Sequence, residues 1–267
     1  ALEPACWTAI LKCDRVVMGG DHCQLPPTVK SPDAIRGGLA DTLMQRVATM
    51  HPESIVQLDT QYRMHQDIMD FPARWFYHGH LHAAPSVAFR QVTPLDTPLL
   101  WADTSQCGFE ERQSRSLSRT NADEARLLIR ILRQYIDDIT PARVLDQRID
   151  FGIITPYRAQ ARLIRRLLKL QHFFRSLHTL ITVGTVDGFQ GQERDVIILS
   201  MVRDNDNGQI GFLRDLRRMN VAITRARMKL IVVGNAATLS RHPFYAELLR
   251  HFQDRGDYRL LPPPDEG

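Results

Sequence analysis

Lysine is nearly missing from this chain. Of its 34 basic residues only Lys12, Lys30, Lys169 and Lys229 are lysines, so arginine carries almost all the positive charge. Cysteine is sparse too. Cys6, Cys13, Cys23 and Cys107 form no Cys-x-x-Cys pair, which excludes a zinc ribbon or a dithiol redox motif. Three of them sit in or beside apolar stretches near the start and read as reduced core residues of a cytoplasmic protein. No apolar run reaches the roughly 20 residues that cross a bilayer, so no membrane partner is expected. The chain has no internal repeat, no Gly/Ser linker and no signal-peptide pattern, and residue 1 is Ala rather than Met.

What is present is ordinary for a globular protein. The 267 residues are 43% apolar and 24% charged. A net charge of +4 with a pI near 9.0 favours an anionic partner, although a solvated basic surface is the plainer reading of charge alone.

Short apolar segments alternate with amphipathic ones, which predicts an α/β fold with a parallel sheet and helices on both faces. Strands are expected at 15–18, 99–102, 151–154, 180–183, 196–202 and 230–233. A helix is expected after Thr120, which with Asp123 resembles a capping box. Ala125, Leu128, Ile129, Leu132 and Ile136 then recur at helical spacing. A second helix is expected from Pro156 with Thr155 as its cap. It buries Ala161, Ile164 and Leu168 and shows Arg158, Arg162, Arg165, Arg166 and Lys169 to solvent or to phosphates. Residues 106–119 read as a polar loop, and a boundary is plausible near 45–58.

Four segments carry chemistry. In 217–227 two arginines, Arg218 and Arg225, stand seven apart on what reads as one short helix, so they share a face suited to a polyphosphate. Met219, Ala222, Ile223 and Ala226 supply the apolar side. In 19–27 Gly19 and Gly20 permit close backbone approach, with Asp21 and Gln24 beside them; an ordinary turn explains the same residues equally well. In 61–65 Tyr62 could stack on a base while Arg63 holds a phosphate. In 185–193 Gly188 and Gly191 allow the backbone angles of a loop wrapped around sugar or phosphate, and Glu193 could accept from ribose hydroxyls. His78, His80 and His82 alternate, but no carboxylate or Cys cluster stands near to complete a metal site. A turn is the better reading, and no metal ligand is assigned.

Taken in order, Gly-Asp-x-x-Gln-Leu-Pro-Pro, Gln-Tyr-Arg-Met-His, Thr-Val-Asp-Gly-Phe-Gln-Gly-x-Glu and Arg-Arg-Met-Asn-Val-Ala-Ile-Thr-Arg-Ala-Arg resemble motifs III to VI of superfamily 1 helicases. The fit is best to the branch containing the nonsense-mediated-decay helicase and its immunoglobulin-switch-region-binding relative. Ile154-Thr-Pro-Tyr157, Asp195–Ser200 and Ile210–Leu213 agree with that branch. The resemblance implies a RecA-like P-loop NTPase fold. Residues 1–50 would be the end of a first RecA-like domain, 51–258 a second one, and 259–267 a disordered tail.

The resemblance also implies roles. Asp21 and Gln24 would lie at the γ-phosphate of ATP, with Gln24 coupling its presence to domain closure. Tyr62 would stack on the adenine and Arg63 would reach the γ-phosphate. Gly191 and Glu193 would line the ribose side, Arg225 would be the arginine finger and Arg218 would support the same surface. Pro27, Thr28, Thr155, Tyr157, Arg158 and Thr185 would touch the backbone of single-stranded DNA or RNA. The implied activity is ATP-driven movement on a single strand, 5′ to 3′, with duplex unwinding.

Ahead of the first of these motifs the chain shows neither of two parts of such a motor, the loop Gly-x-x-x-x-Gly-Lys-[Ser/Thr] and the Asp-Glu pair that holds Mg2+. Residues 1–4 resemble the stretch directly after that pair. The expectation is therefore a C-terminal fragment, inactive alone, whose magnesium ligands and first RecA-like domain lie upstream in a monomeric parent. A non-catalytic nucleic-acid-binding or regulatory module stays open as the alternative, as does an upstream nuclease domain.

Overall fold

The computed structural model of the chain describes residues 2–114 and 118–263. It divides into two compact units, Ala1–Leu58 and Asp59–Gly267, so the division falls at 58/59 rather than 50/51. The first unit contains α1 (Glu3–Ile10), α2 (Pro32–Arg36) and α3 (Leu43–Met50). Ser31 and Thr42 cap the last two by accepting from Ala34 N and Gln45 N, each at 3.2 Å. Among its described residues only Leu43 is a buried apolar side chain. The strand expected at 15–18 does not form, and Val17 is fully exposed. A strand exists only against a neighbour, and the described residues of this unit offer none.

The second unit is built as the alternation of apolar and amphipathic segments requires. Its elements run β1 (Thr60–Gln61), α4 (Gln66–Phe76), β2 (His82–Ala83), α5 (Pro85–Ala88), β3 (Leu99–Asp103), β4 (Glu111–Gln113), β5 (Arg119–Asn121), α6 (Ala122–Ile139) and α7 (Pro141–Asp146). They continue with β6 (Phe151–Thr155), α8 (Arg158–Leu170), β7 (Ile181–Thr185), α9 (Val186–Phe189), β8 (Arg194–Ser200), α10 (Leu216–Ile223), β9 (Ala226–Gly234), α11 (Ala236–Leu239), α12 (Pro243–Arg255) and β10 (Asp257–Leu260). Six strands form one all-parallel sheet in the order β10-β3-β9-β8-β6-β7. Every residue of β3 and β6 is buried, as strands covered on both faces must be.

The period of two along the strands sorts the core onto two faces. Leu100, Ile153, Ile198 and Ile231 pack with Leu128, Leu132 and Ile136 of α6 and Ile164 of α8. On the other face Trp101 meets Phe252 of α12 edge-on at 5.5 Å. This is the α/β architecture of the RecA-like class, a parallel sheet with helices on both sides.

Boundaries differ from the sequence expectations where tertiary pairing overrides local signals. Thr120 does not cap α6. It belongs to β5 and pairs with Arg112, and Asn121 caps instead, accepting from Glu124 N at 3.0 Å. Thr155 does not cap α8, because it is the last residue of β6, in register with Thr185; Tyr157 holds the cap position with no side-chain bond. The expected loop 106–119 contains a hairpin of β4 and β5, with 115–117 outside the described residues. The stretch 259–261, expected to be disordered, joins the sheet. β10 pairs with β3, and Leu261 N donates to Asp103 O at 3.0 Å. The open edge of β3 supplies the main-chain partners that local composition could not reveal. The remainder of that expected tail, 264–267, lies outside the described residues.

Candidate functional site

Helix α10 stops at Ile223 and β9 starts at Ala226, so Arg225 is not on the helix. Arg218 and Arg225 therefore do not share a helical face. The residues chosen as its apolar side, Met219, Ala222, Ile223 and Ala226, are all buried. Arg225 is buried with them, at 3% exposure. Its Nε donates to Val221 O at 3.0 Å, Nη1 to Gln192 O at 3.1 Å and Nη2 to Thr224 Oγ1 at 3.0 Å. All three of these acceptors are neutral, and these bonds orient the guanidinium.

The segment 61–65 is a tight turn held by one side chain. Gln61 Oε1 accepts from Arg63 N and Met64 N at 2.8 and 2.7 Å, and its Nε2 donates to Met64 O at 2.9 Å. His65 N donates to Arg227 O at 2.8 Å, which docks the turn on the start of β9. Arg90 Nη2 steadies it through Arg63 O at 2.7 Å. The turn leaves Tyr62 72% exposed. It sends Arg63 to the Glu193 carboxylate through Nε, and to Thr224 O at 3.1 Å through Nη1.

Glu193 is the hub. Arg63 reaches its Oε2, and Arg227 Nε reaches its Oε1 at 3.1 Å while Arg227 Nη1 holds Asp195 Oδ1 at 2.9 Å. Burial pushes the Glu193 carboxyl up, but the hydrogen bond and charge of Arg63 and the charge of Arg227 outweigh it, so the group stays below the usual range. Desolvation likewise acts against the Arg227 charge, and Asp195, Asp150 and Glu193 more than restore it. Gly191 turns the chain toward Glu193 with φ +80°, which a side chain rarely adopts.

Arg63, Glu193, Arg225 and Arg227 thus meet at the N-terminal ends of β8 and β9. Arg194 N donates to Arg225 O at 2.9 Å across that edge. Arg218 has other partners: Asp215 Oδ2 at 3.1 Å, Asp187 Oδ1 at 3.9 Å, and the ring of Phe212 5.7 Å from its guanidinium. Three contributors were missed in the sequence: Arg227, Asp195 and Gln61. The first had a signal, since residues 225 and 227 are two apart at the mouth of a strand and such pairs project alike.

Of the residues assigned to nucleic acid, Thr155, Tyr157, Arg158 and Thr185 lie at the opposite end of the sheet. Thr155 and Thr185 are paired at the C-terminal ends of β6 and β7. Thr155 and Tyr157 are buried, at 0% and 3% exposure, so neither is a surface contact. Thr155 Oγ1 has no hydrogen-bond partner among the described residues. The Tyr157 hydroxyl accepts from Arg203 Nη1 at 3.4 Å beneath Gly211, where a Cβ would lie 2.8 Å from it. Arg158 is exposed and Thr185 partly so.

Asp21, Gln24, Pro27 and Thr28 belong to the first unit. There Asp21 Oδ1 accepts from Cys23 N at 2.9 Å and Gln24 Nε2 donates to Asp21 Oδ2 at 2.7 Å. Among the described residues the group with metal-ligand spacing is Asp21, His22 and Cys23, whose ligand atoms lie within 4.8 Å of one another, rather than the alternating histidines. Burial, then the Asp21 charge, pushes the Cys23 thiol up to about 11, and a protonated thiol is a poor ligand.

A family model described as an AAA domain matches residues 39–237, and a second of the same description matches 1–32. DNA-binding protein SMUBP-2 of Rattus norvegicus is 38% identical over 97% of this chain and 26% of its own length. DNA polymerase alpha-associated DNA helicase A of Saccharomyces cerevisiae is 38% identical over 90% of this chain and 38% of its own. The regulator of nonsense transcripts 1 homolog of Arabidopsis thaliana is 36% identical over 95% and 20%. The chain thus spans a fifth to two fifths of the length of these relatives. The chain belongs to the AAA-domain family of superfamily 1 helicases.

Proposed function

We propose that the protein carrying this chain is an ATP-dependent translocase on single-stranded DNA or RNA, and that this chain supplies one wall of its ATP cleft. The convergence of three guanidinium groups on the segment 192–195 carries the reading. Arginine forks match phosphate oxygens bidentately and keep their charge at any accessible pH. ATP supplies the phosphoryl group whose transfer drives movement. Arg63, Arg225 and Arg227 would face its phosphates, Tyr62 would offer an exposed ring to its base, and Glu193 would set the pose of the two arginines it bridges.

The magnesium ion needs carboxylates that are free to bind it. Glu193 and Asp195 are engaged by Arg63 and Arg227, so its ligands are expected elsewhere in the parent. On this reading the first RecA-like domain of the same parent is the partner wall. The alternative, a nucleic-acid-binding module without turnover, draws support from the burial of Arg225.

One experiment separates them. ATP hydrolysis by the parent protein is measured with and without single-stranded DNA and RNA, beside Arg225→Ala. Stimulation by a polymer, lost in the variant, supports the motor and names its track. Binding of the polymer without hydrolysis supports the module.

A further inference from the structure

From Phe151 to Val186 the chain has no Asp or Glu, yet it carries Arg158, Arg162, Arg165, Arg166, Lys169 and Arg175. All six are exposed. Five lie on α8, where positions 158, 162, 166 and 169 fall on one stripe at 3.6 residues per turn. Some exposed arginines elsewhere in this unit are answered by carboxylates, Arg126 by Asp123, Arg250 by Glu247 and Arg259 by Asp257. Among the described residues no such pair is formed by any of the six.

The stripe has a direction. It starts at Arg158, just past the C-terminal end of the sheet where Thr155 and Thr185 pair, and descends the flank beside the edge strand β7. Its span is 11 residues, about 16 Å. It ends at a cavity of about 670 Å³ whose rim includes Arg165, Lys169, Arg175 and His178, and whose wall includes Leu168 and Ile181.

We propose that this flank is a second, continuous binding track for single-stranded nucleic acid, holding the strand beyond its contacts at the C-terminal ends of β6 and β7. The inference rests on the function proposed above. Charge complementarity selects an anionic polymer, because an unbroken row of cations without carboxylate partners faces it. The mixed cavity selects a single strand over a duplex, since free nucleotides present both a phosphate and an apolar base to one surface. A peptide adding to the edge of β7 is disfavoured: Arg165 occupies Val183 O through Nε at 3.1 Å and Nη2 at 2.6 Å, blocking one main-chain acceptor of that edge.

The test uses the parent protein and homopolymeric oligonucleotides of increasing length. The variant Arg162→Gln/Arg166→Gln/Lys169→Gln is compared with Arg126→Gln/Arg250→Gln/Arg259→Gln, which removes the same charge from carboxylate-paired sites. For the first, the slope of log affinity against log salt is expected to flatten by about 2, and the gain in affinity with oligonucleotide length to stop earlier. Hydrolysis at saturating polymer stays within about two-fold of the parent. Arg162→Lys/Arg166→Lys keeps the slope, because charge and not fork geometry is read.

Equal slopes in the two Gln variants overturn the track. So does poly-glutamate displacing the oligonucleotide from the parent but not from the α8 variant, since the patch would then read an acidic protein partner. If the unmutated parent neither binds single strands nor is stimulated by them, the proposed function itself has failed. A flattened slope with hydrolysis intact bears on the track alone.

Discussion

At the scale of single residues, this fold spends its few buried cations in two different ways. Lys229 lies inside the sheet. Its ammonium meets Asp96 Oδ1 at 2.6 Å and also reaches Thr97 O, with the Tyr135 ring 5.5 Å away. Burial lowers its pKa, and the Asp96 charge works against that. Lys229→Met therefore strands a poorly hydrated Asp96. It is expected to cost about 3 kcal/mol or more, seen as a drop in denaturation midpoint at pH 7. Lys229→Met/Asp96→Asn, which removes both charges and keeps an acceptor for the Tyr135 hydroxyl, should recover most of the loss; no recovery would mean the lysine stem, not the pair, supplies the stability. Arg225 is a different case, a buried fork whose Nε, Nη1 and Nη2 donate to Val221 O, Gln192 O and Thr224 Oγ1. Arg225→Ala in the parent is expected to cost roughly 10³-fold or more in turnover while polymer binding survives. Arg225→Lys should rescue little, because one ammonium cannot serve Val221 O, Gln192 O and Thr224 Oγ1 together. A few-fold loss in Arg225→Ala would leave Arg63 and Arg227 as the groups that act.

At the scale of elements, α6 shows what a sequence can and cannot disclose. Its stripe Ala125, Leu128, Ile129, Leu132 and Ile136 was legible, because helical burial is written in a period of 3.6. Glu124 was not. It sits in the first turn, where an acid is ordinarily a solvated partner of the helix dipole, yet it is buried beneath the C-terminal end of β8. Its carboxyl accepts from Ser200 Oγ at 2.5 Å and from Val202 N at 2.9 and 3.0 Å, beside a Val202 held at φ +69°. Nothing in the sequence around position 124 could report partners 76 and 78 residues away. Burial outweighs those bonds and pushes Glu124 up to about 8. Unfolded, the same group ionises near its ordinary value of about 4.3. Between those values the folded chain holds a proton that the unfolded chain has released, so stability falls as pH rises, by up to about 1.4 kcal/mol per unit. Glu124→Gln removes that proton exchange. Its melting temperature should therefore change less than the parent's between about pH 5.5 and 8; parallel curves would show that Glu124 is ionised in the fold.

At the scale of the whole molecule, order along the chain is easier to read than placement. Five of the six expected strands form, because strands buried on both faces are marked by apolar runs. The sixth, at 15–18, has no neighbour among the described residues of its own unit. The four motifs were legible as a series, but Arg225 was drawn onto a helix that ends before it, and Thr155 and Tyr157 were drawn onto a surface that buries them. In each case a chain reversal or packing contact set by distant residues decided the outcome. The second unit holds the arginine cluster around Glu193 and the pair Thr155 and Thr185 at opposite ends of one sheet, joined by the short run 186–193. Its arginines can receive charge, but phosphoryl transfer also needs a metal held by free carboxylates and a loop that cradles the phosphates. Glu193 and Asp195 are already committed to Arg63 and Arg227, and the phosphate-loop pattern occurs nowhere in the 267 residues. The purified chain, checked for helical signal and a cooperative melt, should therefore release no phosphate above background at millimolar ATP, with or without a single strand. Measurable turnover lost on Arg63→Ala would refute this, and would mean that this chain alone assembles a complete site with carboxylates other than Glu193 and Asp195.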